Sequence, residues 1–502
     1  MDTPQYIPER PKDVKYRTLI VLLDGTGDSE DEDPTNVAIL RKILYNWEGD
    51  NGNSKQLVRY FEGIGADLTK DYTTLIKNKV DRAVANSFET HIIKAYKWLA
   101  ENYRDHDRIC IFGFSRGAYS ARALAGMLNA MGLSDPAFTE NAYELYEKHS
   151  RLNEDPEKRE AEFTTLFNVW GEFKTAPKHK VKKPLVEFLG CWDSVNSVGM
   201  VDPIKLAYTA TNGIVRTFRH AVALDERRAK FKQNMWSRPK NQLPGADAAP
   251  NGANANGPSV TTDVQEVWFA GCHCDVGGGS VLKGTRPNLS HIPMRWMIRE
   301  CFKARTGIIF SATEVAKLGI EPSHLYPEVR PRPHVDAVSA QGGQTIPVIE
   351  AMGWGPWAKS FLPGKKQRKP EGKELTLPNK TEEELDRDDA LAPLYDQLVL
   401  KSAMWQLLET LATKRSVYDA ATSTFTTIRQ PHHGAGRSIP PAASTHGRKI
   451  RVHRTVQMRM AGTYGNGAER DKQYVPKATV WQGKWEHKIP FEEAQDQIEW
   501  VS

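Results

Sequence analysis

The chain has 502 residues, of which 39% are apolar and 26% are charged, as in an ordinary soluble globular protein. Its formal net charge of +6 is spread over the whole length without a compact basic face, which argues against a nucleic-acid partner. The five cysteines are too few, and odd in number, for a disulfide framework, so we expect a reducing, cytoplasmic environment.

Strand and helix patterns alternate along the first half of the chain. Residues 17–23 form a short apolar run that predicts a buried strand, which ends in the turn sequence Asp-Gly-Thr-Gly. The further elements predicted in chain order are a helix over 33–45, a strand over 56–61, a helix over 73–103, a strand over 108–112, a helix over 118–131, and strands over 185–189 and 264–270. This alternation predicts an α/β fold of the α/β-hydrolase type, with a mostly parallel sheet and helices on both faces.

Composition divides the chain into regions. Residues 1–15 lack the basic and apolar segments of a signal peptide, and we expect them to form a flexible tail. A catalytic domain is predicted over 16–310, interrupted by a flexible insertion at 241–262 that is rich in Pro, Gly, Ala and Asn. Residues 311–502 are expected to form a mainly helical or irregular cap or accessory region, with a helix over 390–412. No apolar run reaches the length of a membrane-spanning helix.

The segment Gly113-Phe114-Ser115-Arg116-Gly117 matches the nucleophile-elbow motif G-x-S-x-G. The serine of such a motif sits on a strained turn between a strand and a helix, and the two glycines relieve the crowding around it. A predicted strand precedes this segment and a predicted helix follows it, which is the context that the motif requires. We therefore predict that Ser115 is a nucleophile; the alternative is a Gly-rich turn in a nucleotide-type sheet.

A catalytic serine needs a base and an orienting acid, and in α/β hydrolases the acid and then the histidine follow the serine along the chain. Asp193 follows the strand predicted over 185–189, and His273 follows the strand predicted over 264–270. Both residues then lie at the same sheet edge as the serine, where open α/β sheets bind ligands. The alternatives are a turn role for Asp193 and a structural role for His273, while Asp275 competes as the acid.

Backbone N–H groups near the elbow are expected to form an oxyanion hole. The N–H of Arg116 lies at the N-terminus of a predicted helix, and Gly25 and Thr26 follow an earlier strand. Asp24 is expected to brace this loop. A strand followed by Asp-x-Thr-Gly is also typical of aspartyl-phosphate enzymes, so a phosphatase with Asp24 as nucleophile is one competing hypothesis, and a non-catalytic binding protein of the same fold is another.

Four segments occur together in chain order, namely 24–26, 113–119, 192–195 and 271–279, and segments 220–228 and 293–297 accompany them. Together they resemble the hydrolase family called domain of unknown function 2235, which includes the catalytic domains of bacterial type VI secretion phospholipase effectors. The resemblance covers about residues 15–305 and implies an α/β-hydrolase fold and a triad on Ser115, Asp193 and His273. It also implies the phospholipase activity of the studied bacterial members, whereas the C-terminal half is more similar to the stand-alone fungal members.

The predicted function is therefore hydrolysis of a carboxylic ester, either a small molecule or a lipid such as a phospholipid, through an acyl-enzyme. No cofactor is expected, and no metal ion, because Cys272-His273-Cys274 lacks the second pair of ligands that a zinc site needs. The Trp-rich residues 353–357, followed by Lys365 and Lys366, are typical of a peripheral membrane anchor, but the sequence favours a cap that packs over the active site.

Overall fold

A computed structural model describes the chain over residues 4–11, 14–25, 33–45, 55–63, 77–150, 162, 165, 168, 181–195, 206–236, 260–333, 345–348, 373–400, 409–410, 413–419, 424–440, 449–466, 470–482 and 487–502. Most of the insertion predicted at 241–262 lies outside these residues. The anchor predicted between residues 353 and 366 lies outside them entirely.

Strands and helices alternate over residues 18–131, as the sequence predicts. The strands are β1 (Tyr6–Ile7), β2 (Thr18–Leu23), β3 (Gln56–Phe61), β4 (Arg108–Phe114), β5 (Val186–Trp192), β6 (Val215–Ala223), β7 (Asp263–Phe269), β8 (Phe310–Ser311), β9 (Thr345–Ile346), β10 (Thr413–Asp419), β11 (Thr424–Gln430), β12 (Ser438–Ile439), β13 (Ile450–His453), β14 (Thr463–Tyr464), β15 (Thr479–Gln482), β16 (His487–Pro490) and β17 (Ile498–Val501). The α-helices are Asn36–Ile43, Lys77–Asn102, Ser115–Met131, Thr139–Ser150, His273–Gly277, His291–Lys303, Ala312–Lys317, Glu382–Ala390, Gln397–Leu400 and Thr455–Met460.

Eight of these strands form one sheet in the order β17-β13-β7-β6-β5-β4-β2-β3. Each neighbouring pair in it is parallel, so the carboxyl ends of the strands meet at one edge. The register aligns Leu23 with Gly113, Gly113 with Cys191, and Cys191 with His220. The residues that follow these positions are therefore neighbours at the edge where α/β sheets bind ligands. The α/β fold class predicted from the sequence is confirmed.

Helices cover both faces of the sheet because the strands are apolar on both sides. Ile20 and Phe112 face a core cluster that includes residues of the helices Asn36–Ile43 and His291–Lys303. Val21 and Ile111 are the sequence neighbours of these two residues and point to the opposite face. They belong to a second cluster, which includes residues of the helices Lys77–Asn102 and Ser115–Met131. Strands buried on both faces are the pattern expected for an all-parallel sheet. Among the described helices, none is long and apolar enough to span a bilayer.

The sheet includes strands from both sides of the boundary predicted at residue 310. β13 pairs with β7 and with β17, so two short C-terminal strands extend the sheet beyond β7. Val452 and Ile498 from these strands share a buried apolar cluster with Trp268 of β7. At the other end of the chain, β1 lies within the predicted N-terminal tail and pairs with β8. Both ends of the described chain are therefore packed against the region predicted to be catalytic.

The sequence does not predict β6, because this buried strand carries charged side chains. Arg219 and His220 are both nearly inaccessible to solvent. The Nε of Arg219 lies 2.6 Å from Oε2 of Glu300, and Nδ1 of His220 lies 2.9 Å from Oε1 of Glu266. Buried polar groups are tolerated when such partners satisfy them. The alternation of apolar and polar residues therefore fails as a guide to this strand.

The helix predicted over 390–412 differs from the structure. The helix Glu382–Ala390 lies in the charge-dense stretch and ends where the predicted helix begins, and residues 391–396 are not helical. Gln397–Leu400 and residues 409–410 are helical, whereas residues 401–408 and 411–412 lie outside the described residues. Asp386 accepts a hydrogen bond of 2.7 Å from Arg295, so a charged helix is held by buried ion pairs. Apolar periodicity does not reveal a helix that is anchored in this way.

Candidate active site

Ser115 lies at the junction between β4 and the helix Ser115–Met131. Its backbone φ is +58°, in the left-handed region that non-glycine residues adopt at an energetic cost. The preceding residue, Phe114, is still extended, with φ −123° and ψ 142°. The chain therefore turns from strand to helix at the serine itself, as in a nucleophile elbow.

The glycines on either side of Ser115 allow this sharp turn. A Cβ atom on Gly113 would collide with the carbonyl oxygen of Gly117. A Cβ atom on Gly117 would collide with the carbonyl oxygens of Leu23 and Asp24, at the end of β2. Because backbone atoms cannot move aside cheaply, no side chain fits at either position. The two glycines thus let the elbow pack closely against the neighbouring strand.

His273 is the first residue of the short helix His273–Gly277, which follows β7. Its Nε2 atom lies 2.7 Å from the Oγ atom of Ser115. A Cβ atom on Gly277 would overlap the ring of Phe114, so glycine is needed for this helix to lie against the residue before the serine. The local packing of the two loops therefore brings the imidazole onto the hydroxyl group.

Asp193 follows β5 directly and has a positive φ of +39°. Its Oδ2 atom lies 2.5 Å from Nδ1 of His273, and its Oδ1 atom accepts a hydrogen bond of 2.9 Å from the backbone N–H of Ala223. The side chain is fully buried. A chain of hydrogen bonds therefore runs from Asp193 through His273 to Ser115, among the three residues that the sequence selects.

Arg437 is a second charged neighbour of Asp193. Its Nη1 lies 2.5 Å from Oδ1 and its Nη2 lies 2.8 Å from Oδ2, which is a bidentate contact between guanidinium and carboxylate. The two residues are 244 positions apart in the chain, and both side chains are buried. The C-terminal region therefore contributes a charged group to the immediate surroundings of the candidate site.

Electrostatics determine which atoms carry protons. Burial acts to raise the pKa of Asp193, but Arg437 and the hydrogen bond from His273 outweigh burial and hold this pKa well below its usual range. Burial lowers the pKa of His273 from its ordinary value of 6.5, even though Asp193 acts to raise it. An ionised Asp193 only accepts, so Nδ1 of a neutral His273 donates to it and Nε2 accepts the hydroxyl proton of Ser115. General-base catalysis requires this arrangement of protons.

Further contacts hold the imidazole in place. Oε2 of Glu226 accepts a hydrogen bond of 3.2 Å from the backbone N–H of His273 and one of 2.9 Å from Nη2 of Arg228. Burial acts to raise the pKa of Glu226, but the charge of Arg228 outweighs it and lowers this pKa. The ring centroids of Phe114 and Phe231 lie 4.7 and 4.8 Å from that of the imidazole. The position of His273 is therefore fixed by both its backbone and its ring.

Asp275, the competing acid, lies two residues after His273 but has other partners. Its Oδ2 atom accepts hydrogen bonds of 2.9 Å from the N–H of Cys272 and 3.1 Å from the N–H of Tyr395. Burial raises the pKa of Asp275 to about 7. Of the two candidate acids, Asp193 is the one that lies within hydrogen-bonding distance of Nδ1.

The carboxylate of Asp24 is occupied by hydrogen bonds within its own loop. It accepts hydrogen bonds of 2.7 Å from the N–H of Gly25, 2.8 Å from the hydroxyl of Thr35 and 2.6 Å from the hydroxyl of Tyr60. These contacts favour the bracing role over a nucleophilic one. Since the N–H of Gly25 donates to Asp24 in this structure, it would have to exchange partners to serve an oxyanion. Thr26 lies outside the described residues.

Sequence reasoning does not single out Arg437 or Glu226. Arg437 lies in a stretch rich in Gly, Pro and His, where no periodicity indicates a buried residue. Glu226 lies in segment 220–228, and the family resemblance of that segment is the one signal that could have drawn attention to it. Among the residues that are described, no group of three or more His, Cys, Asp or Glu side chains is arranged to hold a metal ion.

Comparisons with known proteins give one family match and one curated relative. The model of the Tle1-like phospholipase effector catalytic domain of the type VI secretion system matches residues 17–300. An uncharacterized protein of the yeast Saccharomyces cerevisiae is 34% identical over 229 residues, which cover 43% of this chain and 32% of the yeast protein. The chain thus spans about a third of the length of this curated relative.

Two solved structures match part of this chain at low similarity. One is an uncharacterized protein from Pseudomonas aeruginosa, with 16% identity and a TM-score of 0.32 over 59% of this chain and 46% of that chain. The other is the Tle1 effector bound to the VgrG spike of the type VI secretion system, with 17% identity and a TM-score of 0.27 over 53% of this chain and 51% of that chain. The family match therefore rests on sequence.

Proposed function

This chain belongs to the family of Tle1-like phospholipase effector catalytic domains, and from that premise we propose that it is a serine hydrolase that cleaves a carboxylic ester of a lipid. The family supports a lipase- or phospholipase-type hydrolase in general. The serine mechanism is supported by one observation above all, namely the hydrogen-bond chain in which His273 lies 2.7 Å from Ser115 and 2.5 Å from Asp193.

The proposed reaction is acyl transfer through a covalent intermediate. Nε2 of His273 takes the hydroxyl proton of Ser115 while Oγ bonds to the ester carbonyl carbon, and the carbonyl oxygen becomes an oxyanion. The intermediate collapses, the C–O bond to the alcohol breaks, and the alcohol leaves with the proton from His273. Water then attacks the acyl-enzyme with His273 again as base, which releases the acid and restores the serine. Asp193 stays ionised and stabilises the imidazolium in both steps.

We assign the oxyanion contacts to backbone N–H groups at the sheet edge. Arg116 lies in the first turn of the helix Ser115–Met131, where N–H groups and the helix dipole favour negative charge. The loop after β2, with Gly25 and Thr26, is the proposed source of a second donor, because Gly117 packs directly against the end of this strand. Gly25 would then release its contact with Asp24 as the oxyanion forms.

The proposed substrate is a membrane lipid, since phospholipase activity gives the family its description. Such a substrate requires the protein to approach a lipid surface, and we propose the Trp-rich residues 353–357 and Lys365 and Lys366 as the segment to test for peripheral contact. A non-catalytic binding protein and a phosphatase based on Asp24 are the competing functions, and no described contact favours either.

A fluorophosphonate probe tests the serine mechanism, because it modifies an activated serine covalently. We expect labelling of the wild type and none of Ser115→Ala. Ser120→Ala is the matched control, since Ser120 is buried in the same helix but donates to the carbonyl oxygen of Arg116 at 3.1 Å. No labelling of a folded wild type, or equal labelling of Ser115→Ala, would falsify the proposal.

The substrate class needs a separate assay. Short p-nitrophenyl esters and phosphatidylcholine vesicles are compared as substrates for the wild type, Ser115→Ala and His273→Ala. Activity on either substrate that both variants lose supports an esterase, and preference for vesicles supports a lipid substrate. Phosphatase activity that EDTA abolishes and Ser115→Ala retains would instead support the function based on Asp24.

A further inference from the structure

A guanidinium group and a carboxylate face each other at the end of the proposed catalytic chain. We propose that Arg437 is a positioning residue of this hydrolase, which holds the carboxylate of Asp193 in the orientation that accepts the Nδ1–H of His273. The inference rests on the proposed serine mechanism and deepens it, because it makes the C-terminal region part of the working site.

Both oxygens of Asp193 have two partners. Oδ1 accepts from the N–H of Ala223 at 2.9 Å and from Nη1 of Arg437 at 2.5 Å. Oδ2 accepts from Nδ1 of His273 at 2.5 Å and from Nη2 of Arg437 at 2.8 Å. The planar guanidinium contacts both oxygens together, so it opposes rotation of the carboxylate about its Cβ–Cγ bond. Without it, one backbone N–H alone would oppose that rotation beside the histidine.

The guanidinium is itself held firmly. Beyond the two contacts with Asp193, Nη1 donates to the carbonyl oxygen of Ala223 at 3.1 Å, and Nε and Nη2 donate to that of Phe231 at 3.2 and 2.6 Å. These contacts use the five N–H groups that a guanidinium carries. Phe231 also packs its ring edge-on against the imidazole of His273. Arg437 thus connects the carboxylate with two backbone segments that border the site.

The C-terminal region places Arg437 through its own sheet. The carbonyl oxygen of Arg437 accepts a hydrogen bond of 2.9 Å from the N–H of Thr479, and the next residue begins β12, which pairs with β15. The carbonyl oxygen of Ser438 accepts a hydrogen bond of 3.1 Å from Nε2 of Gln233, which lies in the segment after β6. The guanidinium therefore reaches Asp193 from a segment that is fixed on both sides.

The charge of Arg437 has an electrostatic consequence for the base. Asp193 is fully buried, and an unpaired carboxylate there would pay a large desolvation penalty. The charged groups that face His273 are Asp193, Glu226 and Arg228. Arg437 offsets the negative charge of Asp193, and Arg228 pairs with Glu226. The negative potential that favours a protonated imidazole is therefore weakened. Removing Arg437 should therefore raise the pKa of His273.

Steady-state kinetics with a soluble ester test this inference on the full chain. In Arg437→Gln we expect kcat to fall at least about tenfold with KM little changed, because Asp193 is misaligned. We also expect the acid limb of the kcat/KM profile to move up by about one pH unit, since a carboxylate without its cation raises the pKa of a neighbouring base.

Arg454→Gln is the matched control. Arg454 is a buried arginine of the same C-terminal region and lies 3.0 Å from Asp386, outside the candidate site. A loss of stability without a change in the pH profile is expected there. Arg437→Lys keeps the cation but not the two parallel contacts, so we expect it to keep the acid limb near the wild-type position while kcat stays reduced.

Wild-type kcat and an unmoved acid limb in Arg437→Gln would overturn the inference. If that variant does not fold, the test is made with Arg437→Lys. Wild-type kcat in the lysine variant would overturn the inference, because it would show that the bidentate contact is not required. Failure of the serine mechanism itself would give a different result, namely a wild type that the fluorophosphonate probe does not label. That result would overturn both proposals.

Discussion

The Nε2 atom of His273 lies 2.7 Å from the Oγ atom of Ser115, although the two residues are 158 positions apart in the chain. The distance follows from the parallel sheet, because each residue lies just beyond the carboxyl end of a strand. Both residues are nearly buried, with 3% and 5% of their surfaces exposed. A proton transfer between them would thus take place in a site that is largely shielded from bulk water.

The activity should persist in mildly acidic solution. His273 must be neutral to act as a base, and burial lowers its pKa from 6.5. The fraction of neutral imidazole, and with it kcat/KM, is therefore retained below pH 6.5 and is lost only as the pH falls through the lowered pKa. The measurement is kcat/KM of an uncharged ester from about pH 4 to about pH 9. An acid limb with an apparent pKa above 7 would contradict this prediction.

Asp193 and Asp275 should differ sharply in kinetic importance. Asparagine at position 193 cannot hold the imidazole in the required tautomer, so we expect Asp193→Asn to lower kcat by about 10⁴-fold. Asp275 holds backbone N–H groups of Cys272 and Tyr395, so Asp275→Asn should lower kcat by less than about tenfold. Steady-state kinetics with a p-nitrophenyl ester measures kcat of both variants. Equal losses in the two variants would argue against Asp193 as the acid.

Asp275 should make stability depend on pH. Its pKa is about 7 in the folded protein against an ordinary 3.8, because burial disfavours the charged form. Between these values the folded state keeps a proton that the unfolded chain has released, so the free energy of unfolding falls as pH rises, by up to about 1.4 kcal/mol per pH unit.

Urea unfolding of the wild type and Asp275→Asn at about pH 4 and about pH 7 measures this effect. The variant cannot ionise at this position, so it should gain stability relative to the wild type as the pH rises through this window. A difference between the two proteins that is the same at both pH values would show that Asp275 does not titrate there.

Gly117 should not tolerate a methyl group. Its Cβ atom would collide with the carbonyl oxygens of Leu23 and Asp24, so Gly117→Ala should lower the free energy of unfolding by at least about 2 kcal/mol. Displacement of the elbow should also abolish labelling of Ser115. The matched control is Gly465→Ala, whose Cβ would lie 3.2 Å from the side chain of Thr345. Chemical denaturation of both variants is the measurement, and equal stabilities would refute the steric argument.

The sequence predicts the elements that have simple apolar patterns. The strands that lead to Ser115, Asp193 and His273 are short apolar runs followed by turn residues, and the parallel arrangement brings their ends together. The residues of the proposed catalytic chain could be selected in this way because each lies next to a recognisable strand end.

Elements that depend on paired charges escape the same reasoning. Arg219 in β6 is buried because Glu300 and Asp263 satisfy it, both from other parts of the chain. Arg437 likewise gains its position from contacts with Asp193 and Phe231, and neighbouring residues give no sign of them. Sequence patterns report how a segment partitions between water and core, whereas an ion pair depends on which distant partner the fold supplies.

The late position of Arg437 in the chain has a consequence for biosynthesis. Ser115 and His273 leave the ribosome well before the guanidinium that faces Asp193, and before the strands β13 and β17 that extend the sheet. A nascent chain thus holds the proposed nucleophile and base while the proposed acid still lacks its counter-ion. On the proposed mechanism, full hydrolytic competence is therefore delayed until translation has passed residue 437.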